Sequence, residues 1–244
     1  MNLFLDAIAW LFSPERLEGA NALPVRIGEH LYYTFVSLLV SAVIAIPLGY
    51  YIGHTRKGRE VAVALSGAAR ALPSLGLLTV MALLLGPARA DVAAIIVFVV
   101  LGVPSVLAGA YAGVQSVDPK TVDAARAMGM TEWQILMKVE IPIGLPLLIG
   151  GLRSAALQIV ATATLAAYVG LGGLGIYIFT AIPLRQYDVM LGAALVIVAL
   201  ALLLDALFAV LERLATPRGV LAAKHRNISA RPNRARETVE PSRA

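Results

Sequence analysis

A chain of 244 residues with 59% hydrophobic and 14% charged side chains, at a mean hydropathy of +0.81, is too apolar for a soluble domain and fits one integral membrane domain. It has no cysteine, which excludes disulfides, thiolate metal sites and cysteine nucleophiles, and its three histidines are too scattered to suggest a metal centre. The formal net charge of +5 equals that of the C-terminal tail alone: from Arg218 onward seven Lys/Arg stand against Glu237 and Glu240.

Residues 1–30 form an N-terminal segment. Its apolar decamer, Leu3 to Phe12, is interrupted by Asp6, is too short to span, and lacks the basic start and small-residue cleavage site of a signal peptide. An interfacial helix is expected there. Glu29 and His30 lead into the first span, with His30 as a surface or packing residue. Tyr32 to Gly53 then runs 22 residues without a charge, enough for a hydrocarbon core of roughly 30 Å, with a kink expected at Pro47. His54 to Arg59 is a basic stop. Val61 to Leu85 is interrupted by Arg70 and Pro73, so it is either one broken span or an interfacial helix followed by a run too short to cross.

Val92 to Val114 is a clean span. After it, residues 118–146 are polar and well capped. Asp118 is a good N-cap, Pro119 sits where a helix tolerates proline, and the Ala-rich run from Val122 to Met128 stops at Gly129 as its C′ residue. Thr131 and Gln134 have capping-box spacing for a second helix, expected to end at Pro142, where continuation costs about 3 kcal/mol. Two short helices hinged at a glycine suit a docking device at a membrane surface. Ala124, Ala125 and Ala127 would let a partner approach closely, and Gly129 lets the chain reverse without strain.

Leu147 to Val169 and Val189 to Leu211 are two further spans, containing Arg153 and Asp205. On the first of these, Ser154, Gln158, Thr162 and Tyr168 fall within about a 120° sector at 100° per residue. That polar face either lines a translocation path or bonds to neighbouring helices. A lone charge inside a span is expensive, so Asp205 is expected to pair with Arg153 or Arg70. Between these spans, Gly170-Leu-Gly-Gly-Leu-Gly175 lacks the Lys-Ser/Thr of a phosphate loop and reads as a turn into a short re-entrant or interfacial helix.

Charge placement decides the doubtful segment. If 61–85 spans, the basic stop, the polar loop and the tail share one side with 14 of the 20 Lys and Arg, as the positive-inside rule requires. The expected fold class is therefore all-α: a polytopic bundle of about five spans, with the N-terminus outside and the C-terminus cytoplasmic. It divides into an N-terminal segment (1–30), a transmembrane domain (31–212) with a cytoplasmic loop (118–146), and a basic tail (213–244). The tail is expected to be solvated near anionic lipid headgroups, and it lacks the aromatic interleaving that nucleic-acid binding would favour. No P-loop, HExxH, GxSxG or paired carboxylates support catalysis by this chain.

The loop resembles the "EAA" loop of ABC importer membrane subunits. Asp123-Ala124-Ala125 precedes Gly129 at the family spacing, Met128 stands before that glycine, and Val139, Ile141 and Pro142 occupy the last positions; Asp123 departs from the usual Glu. Further stretches are similar to the osmoprotectant branch of that family: Glu29-His30-Leu with Thr34, Ala71-Leu-Pro-Ser-Leu75, and Gly151 through Gly175. The resemblance implies a multi-pass permease in the plasma membrane that translocates glycine betaine, choline, carnitine or proline. Its implied partners are an ATP-binding cassette subunit, which would use ATP and Mg, a separate extracytoplasmic binding protein, and a second permease, identical or a sibling. It implies no cofactor bound by this chain. An importer for methionine or a sulfonate is the alternative within the class, and an ion-coupled transporter using Arg70, Arg153 and Asp205 the alternative outside it.

Overall fold

The computed structural model describes residues 2–19 and 21–216; most of the basic tail, and so the reading of it, lies outside them. Every regular element among these residues is helical. Helix α1 (Leu3–Leu11) is followed by α2 (Leu23–Thr55), α3 (Arg59–Ala71), α4 (Ser74–Leu85), α5 (Ala90–Gln115) and α6 (Pro119–Ala127). Then come α7 (Glu132–Ile135), α8 (Ile141–Ala163), α9 (Gly175–Leu184) and α10 (Tyr187–Ala215). Four helical runs are long and apolar enough to cross a membrane: Leu23–Thr55, Pro87–Gln115, Glu132–Val169 and Tyr187–Ala215. The pair α3 and α4 makes a fifth if it is one span, broken by an 88° bend at Leu72-Pro73, where proline disfavours helix in the residue before it.

Two boundaries differ from the sequence reading. The first long helix begins at Leu23, not near Tyr32, because Pro24 sits in the first turn and the charges of Arg26 and Glu29 neutralise each other at 2.7 Å. Pro47, where a kink is expected, lies inside that continuous helix. The expected stop at Pro142 does not occur. Leu136–Glu140 widens into a π turn, with the Ile141 N–H bonded to the Leu136 carbonyl, and the helix continues through Pro142 and Pro146. A π turn relieves the clash a proline ring makes with the carbonyl four residues back.

Helix α5 is the centre of the bundle, and Ala94, Val97 and Phe98 on it are fully buried. It lies between α2 and α8, where small residues let backbones meet. A Cβ on Gly113 would come 2.6 Å from the Gly144 carbonyl oxygen, and one on Gly109 2.7 Å from that of Leu147. In hydrocarbon, such close approach replaces the hydrophobic drive that water supplies to soluble cores. Gly151 shares this contact, whereas its neighbour Gly150 faces open space. Outside this core, α1 packs on α10, with the Trp10 ring filling the space over Gly192 and meeting Tyr177 edge-on at 5.2 Å.

Candidate functional site: the helical loop and the polar groups behind it

The loop is built from its caps outward. Asp118 Oδ1 accepts the Lys120 N–H at 2.9 Å, opening α6. At its other end the Met130 N–H reaches the Ala125 carbonyl and the Gly129 N–H that of Arg126, a Schellman closure with Gly129 at φ +84°. Nothing lies within 4 Å of a Cβ placed on Gly129, so glycine is required there by backbone conformation and not by crowding. The Thr131–Gln134 capping box forms in both directions, at 2.9 and 3.3 Å.

Arg126 locks the two short helices together. Its Nε and Nη2 donate to the two carboxylate oxygens of Glu132 at 2.8 and 3.0 Å, and its Nη1 donates to Asp123 Oδ1 at 3.1 Å. The bidentate bond raises the Arg126 pKa and holds the Glu132 carboxyl below its ordinary value. Of the loop residues expected to meet a partner, Asp123, Ala124, Met128 and Gly129 are exposed, Met128 at 77%. Ala125 is a correction: at 3% exposure it faces the chain's own interior and offers no surface. Trp133, 68% exposed, adds a large apolar surface that the sequence reading did not assign to the loop's outer face.

Behind the loop lies a polar cavity of about 220 Å³ that the sequence did not announce. His54, in the last turn of α2, donates from Nδ1 to Glu140 Oε2 at 2.6 Å, while its Nε2 lies 3.5 Å from Glu132 Oε2. Glu140 ends the π turn and is 6% exposed. A histidine read as part of a basic stop thus faces two carboxylates of the loop, 78 and 86 residues along the chain.

Within the spans, Arg153 Nε and Nη2 donate to Asp205 Oδ1 and Oδ2 at 2.6 and 2.7 Å, joining α8 to α10, with Glu212 3.7 Å from Arg153 Nη1. Arg70 takes no part in this pair. It sits beside the α3–α4 break and its Nη2 donates to Ser105 Oγ at 3.4 Å. On α8, Ser154 is exposed and Gln158 and Thr162 are half-buried; Thr162 Oγ1 bonds back to the Gln158 carbonyl of its own helix. Tyr168 is exposed in the 3-10 turn Thr164–Val169, its ring 5.8 Å from that of Phe179.

At the opposite end of α2 from His54, the glycine-rich segment is tied down. Glu29 Oε2 accepts the Gly173 N–H at 2.7 Å, and His30 Nδ1 accepts the Leu174 N–H at 3.4 Å. The other ring nitrogen of His30 therefore carries the proton and donates to the Val160 carbonyl at 2.9 Å. His30 is fully buried, the packing outcome of the two expected for it.

A helical bundle of four or five apolar spans bearing a twice-capped loop between two of them is the architecture of a membrane transport subunit. The chain belongs to the family of binding-protein-dependent transport system inner membrane components, whose profile matches residues 45–217. The glycine betaine/carnitine/choline transport system permease protein OpuCB of Bacillus subtilis (strain 168) is 33% identical over 199 residues, covering 82% of this chain and 91% of that protein. The osmoprotectant import permease protein OsmW of Salmonella typhimurium (strain LT2) is 30% identical over 210 residues, covering 84% and 96%. Among solved structures, an inward-facing MetNI methionine ABC transporter matches with a TM-score of 0.70 at 26% identity, covering 80% of this chain and 96% of that one.

Proposed function

We propose that this chain is the membrane-spanning permease of an ATP-driven importer for a compatible solute: glycine betaine, choline, carnitine or proline. The observation that carries the reading is the projecting loop, with Asp123, Ala124, Met128 and Gly129 on its surface and no nucleotide motif in the chain. In this reading the loop is cytoplasmic and seats an ATP-binding cassette subunit, which binds ATP and Mg. The N-terminus lies outside, a separate binding protein delivers the solute, and two permeases, identical or siblings, enclose the path in the plasma membrane. Ser154, Gln158, Thr162 and Tyr168 line that path, while Arg153 and Asp205 clamp α8 to α10. The solute assignment draws on relatives named for betaine, carnitine, choline and osmoprotectant transport.

A methionine importer is the second reading, favoured by the likeness to the methionine transporter. Competition in membrane vesicles separates the two. Uptake of labelled glycine betaine blocked by excess choline or carnitine, and not by methionine, is the expected result; block by methionine alone would transfer the assignment.

A further inference from the structure

The run from Glu132 to Val169 is 38 residues, about 57 Å at 1.5 Å per residue, well beyond a hydrocarbon core of roughly 30 Å. In the permease reading its first turns lie outside the membrane, where Glu132 and Glu140 line one wall of the cavity behind the loop. A straight α-helix would transmit any push on α7 directly into α8. This one is interrupted where the two meet: the Leu136–Glu140 π turn has a wider ladder, and Pro142 and Pro146, within the next two turns, supply no N–H. The segment is the most deformable point between loop and span, and a push on the loop would be absorbed there unless something fixes it.

The fixing group is on another helix. Glu140, the last residue of the π turn, is buried, and His54 bonds to it at 2.6 Å from the last turn of α2. The same imidazole faces Glu132 at 3.5 Å, and Glu132 is held in turn by Arg126 of α6. One ring thus faces the first residue of α7 and the last residue of the π turn, and it belongs to the helix whose other end, through Glu29 and His30, holds the glycine-rich turn at Gly173 and Leu174. We infer that His54 and Glu140 are positioning residues that make the π turn a joint, passing movement of the loop into α2. The inference rests on the permease reading above and adds to it the route of coupling. Arg56 and Asp123 are the other charged groups lining the cavity around this joint.

The test uses the complete transporter in proteoliposomes, the permease with its ATP-binding subunit and binding protein, and reads solute taken up per ATP hydrolysed. His54→Gln and Glu140→Gln should retain the ATP-binding subunit on purification and lower that ratio about tenfold, the worth of one charge-assisted hydrogen bond. The double variant should be no worse than the poorer single, because both remove one contact. The exchanged pair, His54→Glu with Glu140→His, should recover most of the ratio. Wild-type uptake per ATP in either assembled single variant, or losses that add, would overturn the inference. If the singles fail to insert, the exchanged pair decides: transport supports the joint, and an inserted complex that hydrolyses ATP without transport refutes it. A wild-type complex with no ATP-driven uptake would contradict the permease reading instead.

Discussion

Gly129 and Glu132 define the loop at the scale of single residues. Gly129 holds φ +84° in open space, so an alanine there meets no atom yet loses about 1–2 kcal/mol to left-handed strain. Gly129→Asp adds a carboxylate near the C-terminal end of α6, where the helix dipole disfavours negative charge. Uptake is expected to fall about tenfold or more while the protein still inserts; full uptake with intact ATPase stimulation would remove the loop from its docking role. Glu132 gives a pH dependence with a definite sign. Its carboxyl is held below the ordinary 4.5 by Arg126, so the clamp is fully present above that value and is lost as pH falls below it. Amide protection factors across Thr131 to Ile135, which discount the intrinsic pH dependence of exchange, should stay high down to that pH and fall beneath it, and Glu132→Gln should lose this dependence.

Between elements, the decisive contact is Arg153 to Asp205, which joins α8 to α10 by two short bonds. Removing one partner leaves a charge in apolar surroundings, whereas removing both leaves none. Asp205→Leu is therefore expected to lower the thermal unfolding midpoint in detergent more than Arg153→Leu with Asp205→Leu together, and the reverse order would deny the pair a structural role. This scale also marks how far the sequence could be read. Apolar runs located every span, and Arg70 with Pro73 located the break in 61–85, because length and charge are local properties. The caps of the loop were legible for the same reason: Asp118, Gly129 and the Thr131–Gln134 box act over three or four residues. Pro142 misled because its cost assumes an α ladder, and a π turn five residues long removed that assumption. Ala125 misled because a motif position does not say which side of a helix faces inward. The His54–Glu140 and Glu29–Gly173 bonds span 86 and 144 residues, and no pattern along the chain encodes a contact at that separation.

For the whole molecule, one helix connects the two ends. Helix α2 holds the glycine-rich turn at its start through Glu29 and His30, and the loop at its finish through His54. The bundle around it is tightened by glycine contacts on α5 and α8, so α2, α5 and α8 would shift as a unit, with the His54–Glu140 bond carrying movement of the loop into them. In the proposed reading, the energy for alternating access by such motion is delivered at the loop by a separate ATP-binding subunit. The most direct measurement is solute uptake by the reconstituted permease, ATP-binding subunit and binding protein, with ATP and a protonophore varied separately. Uptake that requires ATP inside the ATP-binding compartment and persists with protonophore is the expected result; uptake that survives ATP depletion and collapses with protonophore would contradict the assignment.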